Sequence, residues 1–383
     1  MESSVRTRGV DAQFQSGLEG VVASVSAICF VDGQGGRLLY RGYDIHDLAA
    51  HSTFEEVVYL LWHGELPTAP QLQTLRRDLG AARALPAEIQ RFLAGLPRQA
   101  DPMDVLRTAV SALALYDPDR DEQTAVANLR KATRLVSQLP TIVASYHRQR
   151  GGKKPVAPRP EAGQAADFLA MLFRREPDPD HVHALDVALI LQADHELNAS
   201  TFAGRVTAAT LSDIYSATTA AIGTLKGPLH GGANEAVMKL LLEIESPERV
   251  EAVIRQKLAA KEKIPGFGHR VYKTEDPRAR HLRGLAQSLG GKAGDLRWFE
   301  MTRRIEEIVV GEKRLYPNVD LYSASVYAAM GIPLDLFTPI FAVSRVSGWT
   351  AHILEQYADN RLIRPRAEYI GPAARDYIPL GKR

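Results

Sequence analysis

"FTPIFAVSRVSGWTAHILEQ", residues 337 to 356, is the stretch on which the fold turns. Thr338 followed by Pro339 supplies a cap and a first helical position. The length and apolar content that follow predict a buried helix, one that carries Arg345 inward with it. A charged group taken into a core needs a reason, and that reason has to be sought elsewhere in the chain.

Other segments share the helical period. In "STFEEVVYLLWHGELP", Thr53 and Glu56 form a candidate capping box, Val57, Leu60 and Leu61 make an apolar stripe, and Gly64 and Pro67 mark the exit. "SPERVEAVIRQKLAAKEKI" offers Ser246 as N-cap and Pro247 behind it, with Val250, Ile254 and Leu258 on one face. Strand signals are few. "GVVASVSAICFVDGQGGRLLYRG" has β-branched residues, then Asp32-Gly33 and Gly35-Gly36, then a second apolar run, and reads as a hairpin. No helical pattern follows those glycines, so they make a poor dinucleotide fingerprint. Residues 147–163 gather Gly, Pro and Lys and read as a surface loop. The fold class expected is mainly α, with a short N-terminal β hairpin.

Composition narrows the function. The 383 residues exceed one ordinary core, so a large domain with a smaller one is expected. Hydrophobic residues make up 45% and charged ones 24%, with a net charge of +2, which gives no broad basic field for nucleic acid. Cys29 is the single cysteine and the start lacks an apolar leader core. A cytoplasmic, soluble protein is the expectation.

Several polar residues sit beside turns or inside apolar runs: His195 in "ADHELNAS", His230 in "GPLHGGANEA", His269 and Arg278 in "GFGHRVYKTEDPRA", Asp320 in "YPNVDLYSA" and Arg345. Each has a plain structural use. A lone His can be hydrogen-bonded in a core, Asp320 can cap a helix, and Arg345 can pair with a buried carboxylate. A metal site is not expected. There is no HExxH and no Cys pair, and Asp194, His195 and Glu196 are consecutive, so on a helix they would diverge. Taken together, two imidazoles and a carboxylate suit proton transfer at carbon, and several arginines suit a small polycarboxylate.

These segments resemble the citrate synthase family. "GLEGVVAS", "YRGYDIHDL", "PMDVLRTAVSAL", "ADHELNAS", "GPLHGGANEA", "KIPGFGHRVYKTEDPRA", "YPNVDLYSA", "FTPIFAVSRVSGW" and "RPRAEYIG" occur in the family's order, over about residues 17 to 380. Asp101 stands where many members carry His. The resemblance implies the family's two-domain helical fold and its homodimer of the compact bacterial and archaeal kind, without the N-terminal extension of the larger forms. It implies condensation of acetyl-CoA with oxaloacetate and hydrolysis of the citryl thioester, with no cofactor or metal. Propionyl-CoA, giving 2-methylcitrate, is the nearest alternative, and a silent ligand-binding helical dimer a more distant one.

The resemblance also implies roles. His230 would hydrogen-bond the acetyl thioester oxygen, Asp320 would take a methyl proton, and His269 would polarise the oxaloacetate ketone. His195, His269, Arg278, Arg345 and Arg364 would hold oxaloacetate, Arg364 reaching across the dimer. Lys263, Pro265, Gly266, Phe267, Gly268, Lys273, Lys313 and Arg314 would meet coenzyme A, with Arg270 a close competitor among the basic positions. Residues 231–331 would form a small domain on the coenzyme side. Residues 1–230 and 332–383 would form the large, dimer-forming one. A helix dipole behind each turn is expected to keep its histidine neutral.

Overall fold

The computed structural model describes residues 15–383. Residues 26–361 make one compact unit, and residues 15–25 with 362–383 make a second. Among the described residues there are sixteen α-helices and one three-stranded sheet. No helix among them is long and apolar enough to cross a membrane.

In the larger unit, β1 (Cys29–Asp32), β2 (Arg37–Tyr40) and β3 (Tyr43–Asp44) are antiparallel, with Cys29 opposite Tyr40 and Asp32 opposite Arg37. The expected hairpin is therefore present and gains a third strand. Asp32 closes its tip by accepting the N–H groups of Gln34 and Gly35 at 3.0 and 2.9 Å.

The core is helical. The helix Phe337–Ala358 is buried along most of its length and packs on Phe54–His63, Ala125–Arg150, Pro179–Gln192, Ala199–Ala208 and Ile214–Leu225. Its Trp349 is 1% exposed, and burying such a ring in place of water contributes about 2–3 kcal/mol. Arg345 goes in with it, 1% exposed, as the sequence predicts. The helices Ala233–Ile244, Val250–Ala259, Ala279–Ala293, Arg297–Lys313 and Val319–Ala329 pack largely on one another.

Helix ends follow the sequence unevenly. The Thr53–Glu56 capping box is complete, and Gly64 ends its helix at φ 90°. Ser246 and Pro247 open a 3-10 turn, Pro247–Arg249, before the helix Val250–Ala259, and Ser246 does not cap. Thr338 does not cap either. A 3-10 turn at Leu334–Leu336 already leads into the helix, and the Thr338 hydroxyl reaches the Gly231 carbonyl and Glu235 at 3.3 and 2.5 Å. The expected loop at 147–163 begins later, because the helix Ala125–Arg150 runs on to Arg150.

The smaller unit is mostly irregular. It has 3-10 turns at Ser16–Leu18 and Leu380–Lys382, and Tyr369 donates to the Pro372 carbonyl at 3.0 Å. Arg364 lies here, exposed, in backbone without regular structure.

Candidate active site

His230 stands in the turn between the helices Ile214–Leu225 and Ala233–Ile244. Its N–H donates to the Gly227 carbonyl at 2.9 Å, and Gly231 donates to the Leu225 carbonyl at 2.9 Å. A Cβ on Gly231 would run into Leu225, so here glycine is required for space. The Ser200 backbone N–H points at Nε2 of His230 at 3.3 Å, with the Ser200 hydroxyl 2.8 Å from the same atom. An amide can only donate, so in the neutral ring Nε2 accepts and the proton sits on Nδ1. The Ser200 hydroxyl accepts the Trp349 indole N–H at 3.0 Å, and its single proton is shared between Nε2 of His230 and Asn198 Oδ1, 2.7 Å away.

His269 shows the same logic with the ring reversed. Nδ1 accepts the N–H groups of Val271 and Tyr272 at 3.0 and 3.1 Å, which leaves the proton on Nε2. His195 lies against it, ring centroids 5.1 Å apart, and Tyr272 packs on both. The Tyr272 hydroxyl is 3.2 Å from Nε2 of His195.

Both rings are held neutral by burial and by neighbouring charge. Burial, then the charge of Arg345, pushes His230 down to about 4. Burial, then Arg278, does the same for His269, also to about 4. His195 is pushed well down by burial, then by Arg278, His269 and Arg345. Desolvation comes first in each case and neighbouring cations add to it.

Asp320 lies in the first turn of the helix Val319–Ala329. Asn318 takes the cap, accepting the Asp320 N–H at 3.0 Å, so the Asp320 side chain is released from that duty. It is 8% exposed and its Oδ1 makes no hydrogen bond. Burial, aided by Asp276 and opposed by Arg278 and Arg345, pushes it up to about 7. A carboxylate deprived of water and of donors is a stronger base than one in solution.

The arginines are poised differently. Arg278 forms a two-pronged pair with Asp276, Nε to Oδ1 at 2.9 Å and Nη2 to Oδ2 at 2.7 Å. Burial opposes its charge, yet Asp276 holds its pKa above the usual range. Arg345 donates from Nε to the Gln192 carbonyl at 2.6 Å and leaves buried Nη1 without a partner. Burial lowers it to about 10, so it stays charged. An unpartnered buried guanidinium N–H is costly, and an arriving carboxylate removes that cost. Asp194, His195 and Glu196 do not form a helical run; they lie in the bend between the helices Pro179–Gln192 and Ala199–Ala208, with Glu196 at φ 53°.

The coenzyme candidates fall on two paired strips of backbone. Phe267 bridges Pro317, Gly268 donates to the Tyr316 carbonyl at 3.0 Å, and Asn318 donates to the Gly266 carbonyl at 2.9 Å. Gly266 and Gly268 sit at φ 84° and 75°, where side chains are strained, so here glycine is required for conformation. Lys263, Lys313 and Arg314 are exposed at the ends of these strips; Lys273 is exposed farther along. Arg364 belongs to the other unit.

Sequence reading passed over Ser200, Tyr272 and Asp276. Asp276 had a signal, an acid two residues before Arg278 with Pro277 between. Ser200 and Tyr272 act on partners distant in the chain. No group of three or more His, Cys, Asp or Glu gathers as a metal would require among the described residues.

The arrangement offers one buried, basic carboxylate, two neutral N–H donors on half-buried rings, and buried cationic sites. That is equipment for taking a proton from carbon and stabilising the oxyanion that results. The citrate synthase, C-terminal domain model matches residues 17–366. "Citrate synthase 2" of Bacillus subtilis is 55% identical, over 96% of this chain and 98% of that protein. A citrate synthase of Haloferax volcanii is 48% identical over 98% and 100%. The structure of a Thermoplasma acidophilum citrate synthase in ternary complex with carboxymethyl coenzyme A and oxaloacetate superposes with a TM-score of 0.91 at 36% identity, covering 97% of this chain and 100% of that one. The chain belongs to the citrate synthase family and is an enzyme of the acyltransferase class.

Proposed function

We propose that this site condenses acetyl-CoA with oxaloacetate, and that its residues divide the work as follows. Asp320 takes a proton from the acetyl methyl and becomes the neutral acid. The enolate oxygen is met by the Nδ1–H of His230. The enol carbon then attacks the ketone carbon of oxaloacetate, the Nε2–H of His269 donates a hydrogen bond to the alkoxide that forms, and the proton held by Asp320 balances the one the new hydroxyl takes, so both groups end as they began. Water finally cleaves the citryl thioester to citrate and free coenzyme A. His195, Arg278 and Arg345 hold the oxaloacetate carboxylates. The scheme uses only groups of the chain and its substrates, with no cofactor.

A thioester methyl is a very weak acid, so Asp320 needs help even at its raised pKa. One preorganised donor such as His230 contributes about 3–4 kcal/mol, and alignment of two bound substrates removes about 7–11 kcal/mol. The observation that carries the reading is Asp320: buried, its Oδ1 unpartnered, pushed up to about 7, and within the electrostatic reach of both Arg278 and Arg345.

Further assignments rest on the same reading. Pro265 to Gly268 with Lys263, Lys273, Lys313 and Arg314 would receive coenzyme A. Residues 231–331 would close as a small domain over a large one made of 1–230 and 332–383, excluding water until the carbon bond exists. The chain would act as a homodimer with Arg364 serving the partner's site, in the cytoplasm, where a lone cysteine is unremarkable. The test is release of coenzyme A from acetyl-CoA and from propionyl-CoA with oxaloacetate, with the product identified by mass. Citrate as the faster product is expected. Faster release with propionyl-CoA would replace the reading by 2-methylcitrate formation, and no release from folded protein with either would remove it.

A further inference from the structure

Asp194 precedes His195 and has no part in the scheme above, yet it is 0% exposed. It lies against one face of the helix Phe337–Ala358, where Arg345, Gly348 and His352 stand at i, i+3 and i+7. Its Oδ2 is 3.2 Å from Nε2 of His352. A Cβ on Gly348 would run into its Oδ1, so the carboxylate reaches the helix backbone there only because Gly348 has no side chain.

The support is directional. Nη1 of Arg205 faces Nδ1 of His352 at 3.3 Å, and a guanidinium can only donate, so the ring proton of His352 lies on Nε2 and points at Asp194. Arg205 is in turn held by Glu355 at 2.7 Å and by Gln356 at 3.0 Å. The Tyr40 hydroxyl donates to the Asp194 carbonyl at 2.9 Å and accepts its N–H at 3.2 Å. Glu196 donates its N–H to Oδ2 at 3.3 Å. Oδ1 makes no hydrogen bond.

Burying a charge so firmly is expensive unless it answers another charge. Arg345, on the same helix face, also has a buried atom without a partner, and among the described residues no carboxylate pairs with it directly. We infer that Asp194 is a positioning residue for oxaloacetate: lodged at Gly348 and held by His352, it supplies the counter-charge for Arg345 from a distance, leaving Nη1 free for the substrate, while its anchored backbone sets His195. A carboxylate in direct contact would neutralise Arg345 equally well and occupy the fork. Asp194 is first among the groups that favour the charged form of Arg345. The inference rests on Arg345 and His195 being oxaloacetate ligands.

The experiment is calorimetric titration with oxaloacetate of the wild type and of Asp194→Asn, Gly348→Ala, Arg345→Gln and the Asp194→Asn/Arg345→Gln double variant, each checked for fold by circular dichroism. Asp194→Asn and Gly348→Ala should each weaken oxaloacetate binding about tenfold or more. The KM for acetyl-CoA at saturating oxaloacetate should stay within about threefold. In the Arg345→Gln background, Asp194→Asn should add less than about twofold, because residues that act through one another are not additive. If Asp194→Asn does not fold, His352→Gln and His352→Leu put the same question. Gln keeps a donor to Asp194 and an acceptor for Arg205 and should preserve binding, whereas Leu should lose it. Normal affinity in Asp194→Asn or His352→Leu while Arg345→Gln loses it would overturn the inference and leave the site reading standing. An additive double variant would overturn it too. Normal affinity in Arg345→Gln would overturn both.

Discussion

The carbonyl of Gly33, at the tip of the N-terminal hairpin, accepts the backbone N–H of Lys273 at 2.8 Å. A Cβ on Gly33 would run into the Val271 carbonyl. Val271 and Tyr272 are the residues whose N–H groups fix Nδ1 of His269. The hairpin tip is thus the wall against which the His269 loop is set. Gly33 is outside the left-handed region, so alanine would fit its backbone and disturb only this contact. Gly33→Ala is expected to lower kcat about 10–100-fold, the scale of a misplacement near 1 Å, with little change in Tm. Unchanged kcat would show that the loop holds itself.

His230→Ala should lower kcat about 10²–10³-fold, the usual loss for one oxyanion donor, and leave oxaloacetate affinity within about threefold. Stopped-flow turnover and calorimetry separate the two. A loss confined to oxaloacetate binding would move His230 out of the acetyl site.

Asp320 should set the acid limb of the pH profile. As a base it must be ionised, so kcat should fall below a pH of about 7, towards which burial pushes its pKa. At one pH unit below that value about a tenth of the enzyme remains active. Asp320→Asn should abolish most turnover at every pH.

The same shift has a consequence for stability. An unfolded Asp ionises near 3.9, as is general, while the folded carboxyl holds its proton to about 7. Between these values the folded state binds the extra proton, so raising the pH erodes stability, and the loss is complete above about 7. Asp320→Asn removes that cost and should melt higher than the wild type at pH 8, with the gap closing towards pH 4. A variant that melts lower at pH 8 would contradict the burial argument.

Mixed dimers test the proposed sharing of Arg364. His269→Ala and Arg364→Ala should each be nearly inactive alone. Refolded together, half the dimers pair at random as mixed, each with one undamaged site, so about a quarter of wild-type activity should return. No recovery, with subunit exchange confirmed by mass, would place Arg364 in its own chain's site.

Sequence pattern was most informative where a signal is local. The Thr53–Glu56 box, the Asp32–Gly36 turn and the buried run around Arg345 depend on neighbours within a few residues, and each is present. It failed where two local signals competed. Ser246 and Thr338 both look like caps, but 3-10 turns occupy those helix starts, and the Thr338 hydroxyl finds other partners. Asp320 was ambiguous for the same reason, and Asn318 takes the cap. The Ser200–His230 and Gly33–Lys273 contacts join residues 30 and 240 positions apart, and no periodicity encodes such meetings.

Asn318 joins two proposed tasks in one residue. Its N–H holds the Gly266 carbonyl at 2.9 Å, its side-chain amide donates to the Gly268 carbonyl at 3.0 Å, and its Oδ1 takes the N–H of Asp320 at 3.0 Å. If coenzyme A rests on Pro265–Gly268, the catalytic base is mounted on the strip that seats the carrier. The span from thioester to carboxylate is then set by backbone, like a gauge cut to one length. Asp320 would move with the coenzyme A-bearing strip whenever that strip moves, so acyl reach and base position would stay in step through every turnover.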